Sequence, residues 1–286
     1  MGGILENGQF AVSTWSLHRL LGATYPYGPD PDKSAARQEP YGTGTAELID
    51  IPQQLAERGI GRLEICSFHL PSLDPSYLKE LRAALDRTGT LLQTLLVEDG
   101  DPSHPQTAER DVRWVAGWID IAAALGAQNM RVIAGKQQPT DENLGRAAGH
   151  LAWLAEQADG SGVRIVTENW FDLLPAPKEM NWLLDQLGDA VGLNGDLGNW
   201  SAPEKYAGLA DIMRRAEICH AKANYDAAGM NADDYRKCLD ACRQAGYAGP
   251  YTLIYDSPFF ADEWDGILLQ KAFIEEFHKE KQRAIG

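Results

Sequence analysis

Three side chains that could share one cation recur at comparable points of the chain. They are Glu168 in Val166-Thr167-Glu168-Asn169-Trp170, Asp196 in Asn194-Gly195-Asp196-Leu197-Gly198-Asn199, and His220 in Ile218-Cys219-His220-Ala221-Lys222. Each stands at or near the end of a short apolar run, and a fourth group, Asp256, follows Leu253-Ile254-Tyr255 in the same way. Carboxylate oxygens with one imidazole, delivered from separate strands, suit a divalent ion such as Mn²⁺, Mg²⁺, Co²⁺ or Zn²⁺, with the remaining positions left to substrate or water. An ion so placed acts as a Lewis acid on hydroxyl or carbonyl oxygens. Taken singly, each residue reads first as a solvated loop side chain. Three on successive runs at the same end point to a metal or acid/base centre, because charges brought together in a protein need partners.

The elements that would position these groups follow from an alternation of short apolar runs with longer segments of helical period, the pattern of βα units and a parallel sheet. The runs read as strands are Phe10–Ser13, Arg62–Ser67, Thr90–Leu96, Asn129–Ala134, Val163–Thr167, Val191–Asp196, Ile218–Ala221 and Tyr251–Tyr255. Eight such runs predict a single α/β domain over residues 1–286, a (β/α)8 TIM barrel, whose active site is assembled where strands end. Strand alternation puts Val166 with Glu168, Asn194 with Asp196, His220 with Lys222, and Ile254 with Asp256 on common faces, so each set can point inward. Between the runs, Asp50 with Gln53 reads as a capping box around Pro52, and Asp74-Pro75 as a second helix start. The clearest helix covers Ala108 to Leu125, with a one-sided stripe of Val112, Val115, Ile119, Ala122 and Ala123 ending at Gly126. The remaining helices are expected over 142–159, 178–187, 205–215, 233–245 and 263–281. Leu21 to Gly44 has no convincing period and reads as a long loop after the first strand, either a functional lid or a segment packed over the barrel mouth.

Other polar residues at the same end are further candidates. His69 follows the second strand and His104 the third, each readable as an acid/base group or as a loop histidine bonded to backbone; His18 could face the site from the first loop, whereas His150 and His278 lie mid-helix. Lys136 and Lys222 are candidate cations for substrate oxygens, and an inward Lys222 would need a carboxylate such as Glu64 or Asp196. Asn199 can hydrogen-bond sugar hydroxyls but cannot shuttle a proton near neutral pH. Trp15, Phe68, Trp170 and Trp200 fall at strand ends, where aromatic walls stack on a sugar ring or simply cap the core.

Composition narrows the classes. The chain has 286 residues, 41 Asp plus Glu against 26 Lys plus Arg, and a net charge of −15. Such a surplus repels phosphate backbones and anionic bilayers, which argues against a nucleic-acid or membrane-surface binder. The 4 cysteines, at 66, 219, 238 and 242, are too few for a disulfide framework. The first ten residues lack a signal-peptide pattern and no run is long and apolar enough to span a bilayer, so the expected location is cytoplasmic.

The motifs Thr167-Glu168-Asn169, Gly192-Leu193-Asn194-Gly195-Asp196-Leu197-Gly198-Asn199, Cys219-His220-Ala221-Lys222 and Gly246-Tyr247-Ala248-Gly249 before a strand resemble the sugar phosphate isomerase/epimerase superfamily, with its xylose isomerase-like TIM barrel. Leu63-Glu64-Ile65 and the turn Leu125-Gly126-Ala127 leading into Arg131-Val132-Ile133 are weaker matches. The resemblance implies a divalent metal held by Glu168, Asp196 and His220, with a fourth ligand from the eighth strand sharing acid/base work with Glu168. The usual Glu position there falls on Ile254, so Asp256, two residues on, is the expected replacement. A second departure is Asn199, where many relatives carry His; His69 or His104 would then supply the missing proton carrier. The activity implied is a metal-dependent isomerase or epimerase of a sugar, keto-sugar or polyol, abstracting a proton beside a carbonyl to give a metal-stabilised enediolate. Glu168 would be ligand and base, and Asp256 or a loop histidine the opposing acid. A lyase or dehydratase eliminating a β-substituent from an oxidised sugar or glycoside stays open, as does a metal-free barrel serving as a binding or partner subunit. The expected partner is a small carbohydrate, and a homo-oligomer is left open. A related endonuclease activity on abasic sites would need a richer His and carboxylate cluster and a basic surface than 6 His and a charge of −15 provide.

Overall fold

The computed structural model describes residues 9–32, 35–201 and 204–283. Seven parallel strands come first: β1 (Phe10–Ser13), β2 (Arg62–Cys66), β3 (Leu91–Val97), β4 (Asn129–Val132), β5 (Arg164–Glu168), β6 (Gly192–Asp196) and β7 (Ala216–Lys222). A small antiparallel hairpin of β8 (Tyr225–Asp226) and β9 (Gly229–Met230) intervenes before β10 (Tyr251–Ile254), which pairs with both β7 and β1 and closes the barrel. The eight runs read from sequence are the eight barrel strands, with no end shifted by more than two residues. The hairpin carried no period-two signal and was not foreseen.

The helices are α1 (His18–Leu21), α2 (Ile51–Glu57), α3 (Pro75–Thr88), α4 (Ala108–Leu125), α5 (Asp141–Gln157), α6 (Pro177–Leu187), α7 (Lys205–Ile212), α8 (Ala232–Gln244) and α9 (Glu263–Arg283). α4 has the bounds its periodicity predicts: Val112, Val115, Trp118, Ile119 and Ala122 are buried against the barrel, and Gly126 terminates it at φ +71°, a left-handed conformation that costs glycine nothing. The start of α2 differs from expectation. The reciprocal capping box is formed by Glu47 and Asp50 on a 3₁₀ turn over Leu48–Asp50, while Gln53 donates instead to Glu57 Oε1 at 3.0 Å. Because the turn begins three residues earlier, the free N–H groups that need a cap lie before Asp50 rather than after it. Among the described residues, no helix is long and apolar enough to cross a membrane.

The segment after α1 folds back on itself instead of running free. Gly22 and Gly44 both have positive φ, at +68° and +70°, and a Cβ on either would collide with the backbone of the other limb. A bridge joins Thr24 to Gln38, Thr45 N–H donates to Leu20 O at 2.8 Å, and the Tyr41 ring stacks on His18 with 4.3 Å between centroids. This loop therefore lies across the C-terminal end of the barrel, where a polar layer replaces the aliphatic packing found lower in the core.

Candidate functional site

The register of the sheet decides which side chains meet. β5 and β6 pair Glu168 with Asn194, β6 and β7 pair Asp196 with His220, and β7 and β10 pair His220 with Thr252 and Lys222 with Ile254. Ligand atoms of Glu168, Asp196 and His220 consequently lie within 4.8 Å of one another, and all three residues are buried. His220 Nδ1 is 3.5 Å from Glu168 Oε1 and 3.7 Å from Asp196 Oδ2. Its other nitrogen, Nε2, is 2.8 Å from Glu64 Oε2, so Glu64 fixes the plane of the ring and turns Nδ1 toward the two carboxylates.

Glu64 is itself held by a sheet irregularity. The β2–β3 register shifts between Leu63 and Glu64, leaving Gln93 unpaired in the ladder, and both Gln93 Nε2 at 2.7 Å and Thr94 Oγ1 at 2.9 Å donate to Glu64 Oε1. Asp196 Oδ1 accepts the backbone N–H groups of Gly198 at 2.6 Å and Asn199 at 2.8 Å, which leaves Oδ2 facing His220. Glu168 is similarly divided: Oε1 accepts from Asn199 Nδ2 at 3.0 Å, and Oε2 is 3.1 Å from Arg131 Nε.

Crowding of like charges sets the protonation of the cluster. Burial alone would raise the Glu168 pKa, but His220 and Arg131 overcome it and hold it down to about 2. Asp196 goes the other way, pushed up to about 6 by burial and by the charge of Glu168. Burial disfavours a charged His220, yet Glu168 and Glu64 raise it to about 10, so without a metal the imidazole is protonated at neutral pH.

These residues fit a divalent cation. Donor atoms sharing one ion stand at most roughly 4–5 Å apart, twice a metal–oxygen or metal–nitrogen bond, and the three here meet that limit. Glu98 and Glu168 share the buried guanidinium of Arg131, Glu64 and Asp196 face His220, and Lys222 lines the same cavity, so four carboxylates meet two fixed cations and the site is short of positive charge unless His220 binds a proton or a cation enters. The adjoining cavity of about 50 Å³ is lined by Glu168, Asp196, His220, Asn199, Arg131 and Ile254 among others. That is room for an ion and a water, given about 30 Å³ per water. Asn194 Oδ1 and Glu98 Oε2 are buried nearby without hydrogen-bond partners.

The other expected residues divide. Asp256 lies outside the cluster: β10 ends at Ile254, whose side chain lines the cavity, and Asp256, 44% exposed, is 3.2 Å from Lys222 Nζ. Two residues beyond Ile254 at about 3.3 Å per residue carry its carboxylate up to the rim. Lys222 thus takes Asp256 as its hydrogen-bonded partner rather than Glu64 or Asp196, its stem passing over Gly198, where a Cβ would collide with it. His104 is a backbone cap: its Nδ1 accepts the N–H groups of Gln106 at 3.2 Å and Thr107 at 3.1 Å just before α4. His69 is buried 3.4 Å from His18 Nδ1 and lines a separate cavity beside the loop with Tyr25 and Tyr77, with its pKa driven well below the usual imidazole range by burial and by His18. Lys136 pairs with Asp99 at 3.3 Å beside the barrel mouth. Trp15 and Trp170 do meet at the cavity, edge to face with centroids 6.0 Å apart, whereas Trp200 donates to Leu174 O at 3.0 Å as a core residue.

Two residues were missed. Arg131, 2% exposed, projects into the cavity from β4, and Glu98, the first residue after β3, binds its Nη2 at 2.7 Å. A lone arginine inside the apolar run Met130-Arg131-Val132 was the available signal, since a buried charge demands a partner. Above them a second cavity of about 290 Å³, lined by Trp15, His18, Tyr27, Tyr41, Phe68 and Glu98 among others, opens under the folded loop.

A closed (β/α)8 barrel with a carboxylate and imidazole cluster at the C-terminal ends of its strands defines the class. Residues 52–263 match the family model described as xylose isomerase-like TIM barrel, and the chain belongs to that family. No curated protein sequence matches it. Among solved structures it is similar to a xylose isomerase-like TIM barrel protein from Mycobacterium smegmatis in complex with magnesium, at 16% identity and TM-score 0.66, covering 96% of this chain and 99% of that one. It is also similar to D-allulose 3-epimerase from Methylomonas sp. in complex with D-allulose, at 15% identity and TM-score 0.68, covering 96% and 98%. A third is 3-keto-D-glucoside 4-epimerase from E. coli, at 14% identity and TM-score 0.64, covering 80% and 94%.

Proposed function

We propose that the protein is a metal-dependent isomerase or epimerase of a sugar, keto-sugar or polyol. The observation that carries this reading is the convergence of Glu168, Asp196 and His220 on one small cavity beneath an aromatic-walled vestibule. Epimerases among the structural neighbours support it at the level of fold. Glu168, Asp196 and His220 would hold the divalent ion, which supplies Lewis-acid polarisation of a carbonyl or hydroxyl oxygen.

The chain's own residues do the rest. Glu64 keeps the His220 ring in one orientation and one tautomer. The Glu168 carboxylate presents Oε1 to the ligand cluster and leaves Oε2 to receive a proton from the carbon beside the substrate carbonyl, since Oε2 meets Arg131 Nε at 3.1 Å without an aligned hydrogen bond and accepts only a long 3.4 Å bond from Asn194 Nδ2. Asn199 stands at hydrogen-bond distance from Glu168 and offers its amide to a sugar hydroxyl. Trp15 and Trp170 wall the cavity and exclude water from the carbanionic intermediate.

Incubating the metal-loaded protein with a panel of aldoses, ketoses and keto-glycosides in D₂O, followed by NMR, tests the reading. Solvent deuterium on the carbon beside the carbonyl of a rearranged sugar is the expected result. An eliminated product would replace the isomerase reading with a lyase, and an unchanged panel with chelator making no difference would overturn it.

A further inference from the structure

With Ile254 where a strand-eight carboxylate would stand, the cluster has one acid/base carboxylate, Glu168, and needs another group to return a proton to the opposite face of a planar intermediate. The described residues near the cavity offer few choices. Asp256 is exposed at the rim and paired with Lys222, His104 is spent on backbone N–H groups, and His69 and His18 are turned toward each other. Glu98 differs from all of these. Its side chain is 7% exposed, one oxygen is anchored 2.7 Å from Arg131 Nη2, and the other, Oε2, is buried with no hydrogen-bond partner. Glu98 also lines both the ion-sized cavity and the vestibule, so it stands at the junction where a sugar entering from the loop side would meet the cluster. Burying a carboxylate oxygen without a donor is costly unless something supplies one, and a substrate hydroxyl or a proton in transit is such a donor.

Arg131 ties this carboxylate to the first. Its guanidinium bridges Glu98 and Glu168, lies 5.2 Å from the Trp170 ring centroid and donates to Val97 O at 3.3 Å. One fixed cation therefore holds two carboxylates along one edge, Glu98 through Nη2 and Glu168 through Nε, with Glu98 Oε2 left over.

Resting on the isomerase or epimerase reading above, we infer that Glu98 is the second acid/base residue of this site, in the role left empty at Ile254, and that Arg131 is the positioning residue for the Glu98 and Glu168 pair. In the forward direction the C–H bond beside the carbonyl breaks and its electron pair becomes the C=C bond of an enediolate. The carbonyl π pair moves to oxygen, and the proton ends on Glu168 Oε2. Glu98, carrying a proton taken from solvent on Oε2, returns it to the opposite face, the enediolate electrons reform the C=O and the new C–H bond, and exchange with solvent through the vestibule restores the starting pair. The reverse reaction retraces these steps, with Glu98 taking the proton and Glu168 returning it.

The test compares wild type with Glu98→Gln and Arg131→Lys, using the sugar that wild type turns over, deuterium wash-in from each epimer, and Mn²⁺ affinity by calorimetry. For E98Q the expected result is a 10²- to 10⁴-fold loss of kcat, Mn²⁺ affinity within about threefold of wild type because Glu98 is not a ligand, and wash-in kept from one epimer but lost from the other. A purely structural role would not produce that one-sided exchange. R131K should lower kcat by about tenfold with KM little changed, because a shorter point charge still neutralises both carboxylates but cannot bridge them. If E98Q does not fold, Glu98→Asp carries the same test with the carboxylate withdrawn by one methylene. Turnover of E98Q within threefold of wild type in both directions, or a tenfold loss of Mn²⁺ affinity, would overturn the role of Glu98 while leaving the isomerase reading in place. A wild type that exchanges no sugar proton overturns both.

Discussion

Ile254 fixes how many protein groups can reach a cation in this barrel. Its apolar side chain lines the ion-sized cavity beside Lys222, so the proposed divalent site would rest on Glu168, Asp196 and His220, with Glu64 behind His220. Ile254→Glu should restore a fourth carboxylate and tighten Mn²⁺ binding by about tenfold, each tenfold being about 1.4 kcal/mol; unchanged affinity in a calorimetric titration would show that this position does not face the ion. Glu64→Gln acts through the second layer. It removes the acceptor that orients His220, and outer-layer partners of metal-bound histidines are typically worth about 10–100-fold in affinity. Titration of E64Q should show a loss of that size with one ion still bound, and wild-type affinity would refute the orienting role.

The elements explain which parts of the site could be read in advance. Glu168, Asp196 and His220 were legible because each stands at or near the end of a run of strand period, and in a parallel barrel strand ends converge whatever the loops do. Glu98 was not, since the third run was read as ending at Leu96 whereas β3 continues to Val97, which makes Glu98 the first residue of the loop. Asp256 was placed by shifting the resemblance's strand-eight position two residues along the same face, and alternation says nothing of the height above the layer, where Asp256 lies exposed beside Lys222. His104 shows the same limit: a histidine just past a strand is indistinguishable in sequence from a catalytic one, and here it caps the turn into α4. His104→Ala should destabilise the fold by about 1 kcal/mol, in the range of a lost helix cap, with sugar turnover and Mn²⁺ binding unchanged. Denaturant unfolding beside an activity assay checks this, and loss of turnover in a fully folded H104A would restore its catalytic reading.

For the molecule as a whole, the net charge of −15 and the acidic barrel mouth bear on stability as well as solubility. In the metal-free protein, His220 is raised from 6.5 to about 10 by its two carboxylate neighbours. Its stabilising contribution is therefore fully present below pH 6.5 and lost as pH rises through about 10. Asp196, raised to about 6, works in the same direction at lower pH, while the depressed Glu168 loses its contribution only as pH falls from about 4.5 toward 2. Thermal unfolding without metal should accordingly show a midpoint that declines from about pH 6.5 to 10, and a midpoint that rises over that window would contradict the assignment. Saturating metal should oppose the decline, contributing about 2.7 kcal/mol at one hundred times its dissociation constant.

The proposed metal binding would have to displace the proton on His220, since only the neutral imidazole donates a lone pair to a cation. The most direct test of the account is calorimetric titration of Mn²⁺ at pH 7.5 in two buffers of different ionisation enthalpy, for wild type, E168Q, D196N and H220N. One ion per chain, close to one proton released on binding to wild type, and at least hundredfold weaker binding in each variant is the predicted result. A wild type that binds no ion, or variants that bind as tightly as wild type, would contradict it.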